Sequence, residues 1–204
     1  GENNSRKLNE NSNFQPNSPY GISKLFSYWI TKNYRDSYGI FASNGILFNH
    51  ESPRRGETFV TQKIVMGLVK IKLNLQECLY LGNLYSKRDW GHAKDYVIAM
   101  WKILQHKKAD DFCIATGKNY SIKQFINEVT KCLDLKIEWR GKGIKEICVN
   151  LENNKTIIAI DERYLRPKDI SSLSGDFSKA KKKLNWKPKI LFSKIVKEMV
   201  DHQL

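Results

Sequence analysis

The sequence has no glycine-rich turn of the G-x-G-x-x-G type between a strand and a helix, although it holds 12 glycines. Within these residues that excludes the usual cradle for a dinucleotide pyrophosphate, in which backbone amides close on phosphates at a helix N-terminus. It has no run of about 18 apolar residues, so no segment reads as a membrane span. No basic-then-apolar leader opens it. Its four cysteines, Cys78, Cys113, Cys132 and Cys148, never stand as C-x-x-C. No metal site is therefore expected, and reduced, buried thiols are. Internal repeats and low-complexity linkers are also missing. The first residue is Gly1 rather than Met, from which a fragment or a processed product is expected. A soluble, cytoplasmic protein is expected as well.

What is present is globular in composition. The chain has 204 residues, 41% hydrophobic and 11% aromatic, enough for an ordinary core. Its net charge is +14, which would suit nucleic acid or an anionic ligand. The lysines are scattered, however, and the densest run, Lys179 to Lys183, reads as the solvated face of a short helix. No recognition motif accompanies the charge, so no nucleic-acid partner is expected.

Helices and strands alternate along the chain. Ser18 caps a helix, Pro19 suits its first turn and Gly39 closes it. A mostly apolar strand is predicted over 40–48, a helix over 58–75 and a short strand over 79–81. Apolar residues at 93, 97, 100, 101 and 104 predict a helix over 92–105. A strand over 112–115 precedes a helix capped by Ser121, with apolar positions 122, 125, 126, 129 and 133. Short strands over 136–139 and 156–160 flank a polar connection. Asp176 caps the lysine-rich helix, and an amphipathic helix begins at Phe192. This order predicts an α/β protein with a largely parallel sheet.

Tyr20 and Lys24 are four residues apart at a helix start, so both side chains share one face. A phenol ionises near pH 10, and holding one half ionised at neutral pH costs about 4 kcal/mol. An ammonium about 6 Å away supplies roughly 2.8 kcal/mol at an effective dielectric of 20. A second positive charge, such as an oxidised nicotinamide ring, would supply the rest. Spacing alone is weak, because Tyr28/Lys32 and Tyr164/Lys168 repeat it. The last pair straddles Pro167 and cannot share a helical face. Tyr28, beside Trp29 and Ile30, reads as packing.

The surrounding words are more specific. Ser18-Pro19-Tyr20-Gly21-Ile22-Ser23-Lys24 resembles the catalytic helix of extended short-chain dehydrogenases. The thirteen residues from Asn49 to Thr61 resemble a signature of the GDP-mannose 4,6-dehydratase family within that superfamily. Similar matches run through Leu81–Leu84, Lys87–Val97, Tyr164–Pro167 and Leu184–Pro188. The resemblance implies the C-terminal part of a Rossmann-type parallel sheet with a smaller α/β substrate-binding domain. It assigns 1–57 and 88–117 to the NADP-binding part, and 58–87 and 118–204 to the GDP-sugar part. It also implies NADP as cofactor and GDP-mannose as substrate. The product would be GDP-4-keto-6-deoxymannose, a precursor of fucose, formed by internal oxidation-reduction and loss of water.

Residue by residue, the resemblance makes Tyr20 the base and Lys24 the group that holds the nicotinamide ribose and tunes Tyr20. His50 and Arg55 match cofactor-contacting positions. Asn49, Val60, Lys63, Arg88 and Arg166 match substrate-side positions, and arginine forks suit a diphosphate. Read without the resemblance, His50 caps a strand end, Arg55 is a solvated loop charge and Arg88 pairs with neighbouring Asp89. The Arg54-Arg55 loop implies contact with a neighbouring subunit in a dimer or tetramer. Gln62 stands where the family commonly has arginine, and Asp169 where it commonly has glutamate. The family's Thr-x-Glu pair, with its base for C5, and its glycine-rich turn are expected upstream of Gly1, so the isolated chain is expected to be inactive. Two alternatives stay open: an epimerase or reductase of another nucleotide sugar, or a non-catalytic basic remnant.

Overall fold

The computed structural model describes residues 7–165 and 170–204. In chain order the elements are α1 (Pro19–Tyr38), β1 (Gly45–Leu47), β2 (Asn49–Glu51), α2 (Val60–Lys72), β3 (Leu79–Leu81), β4 (Lys87–Arg88) and β5 (Trp90–His92). There follow α3 (Ala93–Leu104), β6 (Phe112–Ile114), β7 (Tyr120–Ser121), α4 (Ile122–Cys132), β8 (Ile137–Arg140), β9 (Ile147–Asn150), β10 (Lys155–Ile160), α5 (Ser178–Leu184) and α6 (Phe192–Gln203). The chain divides into two compact units: 1–50 with 87–119 and 170–191, and 51–86 with 120–169 and 192–204.

In the first unit β1 and β6 run parallel, Ile46 opposite Cys113. α1 is built as its sequence predicts. The Ser18 side chain accepts from the Gly21 amide, Pro19 opens the first turn, and Gly39 closes the helix at φ 65°, a left-handed conformation that costs glycine nothing. None of its 20 residues is buried. α3 forms as predicted, capped by His92, but the apolar stripe is not its buried face. The stripe that marks it as a helix faces out, with Val97 and Trp101 each 61% exposed, while Tyr96, Ala99 and Ile103 are buried. Those three pack with Phe112, Ile114, Leu184 and Trp186.

The same packing explains why 170–191 belongs with this unit, not with 118–204 as one piece. The Trp186 indole donates to the Asp95 carbonyl at 2.9 Å, and the Asp95 carboxylate accepts from the amides of Lys189 and Ile190. α1 is fastened differently. The Asp111 carboxylate accepts two bonds from Arg35 (2.8 and 3.1 Å), others from the Asn44 amide and side chain, and one from the Tyr28 hydroxyl. Tyr28 thus packs, against Phe14, and also bonds.

The second unit holds a four-stranded sheet in the order β3-β10-β9-β8. β10 runs parallel to β3, whereas β9 is antiparallel to both of its neighbours. The sheet is therefore mixed, because β8, β9 and β10 follow one another through short connections that reverse the chain. Strand β9 lies within the stretch read as a polar connection. α2, α4 and α6 bury Leu68, Phe125 and Val196 completely, and α2 and α6 each pack against α4 and against each other. α4 carries a capping box: the Ser121 hydroxyl accepts from the Gln124 amide and the Gln124 side chain accepts from the Ser121 amide. All five apolar positions expected on this helix and its end are buried. Asp176 does not cap α5 from the residue next to it; its carboxylate accepts from the Ser178 amide at 2.8 Å, with Phe177 between.

Candidate active site

Five of the expected site residues belong to the first unit. Tyr20 and Lys24 lie on one face of the first turns of α1, with the Lys24 ammonium 5.5 Å from the Tyr20 ring centroid. Tyr20 is 72% exposed, so its hydroxyl is presented rather than packed. Asn49 and His50 stand half-buried in β2. The His50 Nδ1 lies 2.9 Å from the Phe48 carbonyl. A carbonyl oxygen only accepts, so Nδ1 carries the hydrogen and Nε2 is turned away from this contact. The His50 ring also lies 4.9 Å from that of Tyr96. A Cβ on Gly91 would run into the Tyr96 ring, so the close approach of β5 requires glycine there.

Arg88 does not pair with Asp89. Its Nη1 donates to the carbonyls of Lys87 (2.9 Å) and Ile170 (2.6 Å). Asp89 is wholly buried and accepts from the Thr116 amide and hydroxyl and from the amides of Gly117 and Gly175. Burial pushes the Asp89 carboxyl up from its ordinary range, and these donors pull it back in part. Neighbouring residues with opposite charge thus do different work: Asp89 ties loops together, and Arg88 reaches the segment that begins at Ile170.

Arg55, Val60 and Lys63 belong to the second unit. The Arg55 Nε lies 3.2 Å from the buried Glu51 carboxylate, which also accepts from the Thr61 hydroxyl at 2.7 Å. The guanidinium carbon sits 3.6 Å from the Phe59 ring centroid. Arg55 is therefore an anchored side chain, not a solvated loop charge. Val60, 40% exposed, is the first residue of α2. The Lys63 ammonium donates to the Tyr80 carbonyl at 2.9 Å and lies 3.8 Å from the Tyr164 ring centroid. Gln62 is 2% exposed and its Oε1 has no hydrogen-bond partner among the described residues. Arg166 and Asp169 lie outside the described residues.

Sequence reading passed over Glu51, Phe59 and Thr61. The available signal was the Glu51/Arg55 spacing of four with an aromatic four residues further on, which carries no meaning in a loop. Among the described residues no group of three or more His, Cys, Asp or Glu could hold a metal ion. No helix there is long and apolar enough to cross a membrane. The cysteines are free, with Cys113 and Cys148 buried and their thiols pushed up to about 12 by desolvation; Cys78 and Cys132 are half-buried.

Residues 1–199 match the model of the GDP-mannose 4,6 dehydratase family. The chain belongs to this family. It is 49% identical to the GDP-mannose 4,6-dehydratase of Yersinia enterocolitica, over 94% of this chain and 54% of that protein. It is 50% identical to the human GDP-mannose 4,6 dehydratase, over 94% of this chain and 51% of that protein. The chain thus spans about half the length of the curated relatives it matches. Among solved structures, RMD from Pseudomonas aeruginosa complexed with NADPH superposes with a TM-score of 0.79 at 18% identity, over 97% of this chain and 59% of that one. That likeness shows a shared α/β fold of Rossmann type.

Proposed function

We propose that the chain is part of a GDP-mannose 4,6-dehydratase that uses NADP. The disposition of Tyr20 and Lys24 carries the reading: an exposed phenol and an ammonium sharing one face where a capped helix begins. The residues fit a dinucleotide. A hydroxyl and an ammonium side by side suit a ribose and its ring, and the Arg55 guanidinium suits a phosphate oxygen pair. His50 would contact the same cofactor, while Asn49, Val60, Lys63, Arg88 and Arg166 would hold the GDP-sugar.

When bound, the nicotinamide would supply reversible hydride chemistry. Tyr20 takes the proton from the sugar 4-hydroxyl. Lys24 keeps a positive charge one turn from that phenol and holds the cofactor's ribose hydroxyls. Arg88, held by the Lys87 and Ile170 carbonyls, would contact the diphosphate. These residues account for the first proton transfer and for binding; none is assigned to the C5 proton, so the chain alone is expected to be inactive. Arg54, exposed beside Arg55, is the proposed contact with a neighbouring subunit.

The test is turnover of GDP-mannose by the complete enzyme, read as loss of one water by mass spectrometry. Tyr20→Phe should lower kcat on the order of 10²–10⁴-fold with an unchanged melting temperature, because the hydroxyl supports no packing. A variant with wild-type kcat would overturn the assignment of Tyr20 as base. Robust turnover by the 204-residue chain alone would overturn the expectation that it lacks part of the site.

A further inference from the structure

Between β2 and α2, Glu51 and Phe59 close on Arg55 and Thr61 holds Glu51, all within one compact unit. Glu51 and Thr61 are each 1% exposed. The Glu51 Oε2 receives the Thr61 hydroxyl at 2.7 Å and lies 3.2 Å from the Arg55 Nε, an ion pair without the alignment of a hydrogen bond. Phe59 covers one face of the guanidinium at 3.6 Å. Arg55 itself remains 22% exposed along its side chain.

A carboxylate in this place is an expensive way to join a strand to a helix. Taking it out of water costs several kcal/mol, and a well-packed apolar pair often does as well or better. Burial accordingly pushes the Glu51 carboxyl up, with the Thr61 bond and the Arg55 charge pulling it back in part. What a carboxylate provides, and an apolar side chain cannot, is direction. It takes the Nε side of the guanidinium while Phe59 takes a face. Neither Nη group has a hydrogen-bond partner among the described residues. The Nη edge presents parallel N–H groups, the geometry that meets two oxygens of a phosphate.

We infer that Glu51 is a positioning residue, which, held by Thr61 and helped by Phe59, aims the Arg55 fork at a phosphate of the bound dinucleotide. The inference rests on the proposed cofactor role of Arg55. It adds that the affinity depends on how the guanidinium is held as well as on its charge, since Arg55 would remain cationic without Glu51.

Three variants of the complete enzyme separate the possibilities, with NADP as the probe. Arg55→Ala removes the fork and should weaken NADP binding by about a hundredfold, the order of losing a bidentate charged contact. Glu51→Gln keeps size and an acceptor for Thr61 but releases the guanidinium, and should weaken NADP by about tenfold. Glu51→Asp keeps the charge but withdraws it from Nε and Thr61, and should fall with Glu51→Gln. In both Glu51 variants the KM for GDP-mannose should stay at the wild-type value, a split that general loosening of the fold would not produce. Wild-type NADP affinity in Arg55→Ala overturns the cofactor role of Arg55 and this inference with it. A weakened Arg55→Ala beside wild-type affinity in Glu51→Gln overturns the positioning role alone. Should Glu51→Gln fail to fold, Glu51→Asp decides by the same readout.

Discussion

Helices α1 and α4 both open on a serine cap and both carry apolar residues at helical spacing, yet they are held in opposite ways. α1 buries nothing and leaves Phe26 68% and Trp29 53% exposed. α4, at little more than half the length, buries Ile122, Phe125, Ile126 and Val129. Polar contacts converging on Asp111 fasten α1, whereas apolar area removed from water fastens α4. Helical periodicity makes a stripe; it does not provide the surface that covers it.

The contrast predicts how each helix fails. Phe125→Ala, in α4, should cost about 3–5 kcal/mol of unfolding free energy in urea, from lost transfer energy and the cavity left behind. A loss below about 1 kcal/mol would show that α4 is not anchored by its apolar face.

Asp111→Asn should cost about 2–3 kcal/mol, because it leaves Arg35 facing a neutral group in a partly shielded place. Burial alone would raise the Asp111 carboxyl, but the donors from Arg35 and Asn44 outweigh it and hold it below its ordinary range. A carboxylate with a lowered folded pKa stabilises fully above its unfolded value, near 3.9, and loses that contribution as pH falls through the folded value. Acid titration of stability below about pH 4 should therefore be shallower in Asp111→Asn than in the wild type. Parallel acid slopes would deny the polar fastening of α1.

Gln62→Met should raise stability by about 1 kcal/mol, since it removes a buried acceptor without a partner while keeping volume. A drop in melting temperature would mean that the amide is engaged in a way its neighbours do not reveal. The smallest effect belongs to Phe26→Ala, expected within about 0.5 kcal/mol of wild type in the isolated chain because the residue is 68% exposed there. A loss of several kcal/mol would erase the contrast between the two helices.

The same division separates what was legible from what was not. The helix starting at Ser18 and the one starting at Ser121 could be read because a cap and its partner lie within three residues. α3 was found by its stripe, but its buried face was not legible, because Tyr96, Ala99 and Ile103 make an equally spaced alternative and only Phe112, Leu184 and Trp186 select it. β9 was missed because Ile147–Asn150 is short and follows a polar turn, and pairing on both sides makes it a strand. Among site residues, Tyr20 and Lys24 stand where their spacing puts them. The pairing of Arg88 with Asp89, the reading made without the resemblance, fails because Asp89 faces inward to three backbone amides and the Thr116 hydroxyl.

The sequence by itself determined where α1 and α4 begin and that Tyr20 and Lys24 share a face, since those interactions span a single turn. Tertiary structure alone decided which side of α3 is buried, that the second sheet is mixed, and that Arg35 meets Asp111 across 76 residues of chain. Arg55 belongs to the second group despite its near neighbours. Four residues of separation in a loop fix no direction, and only the placement of Thr61 on α2 turns Glu51 toward the guanidinium.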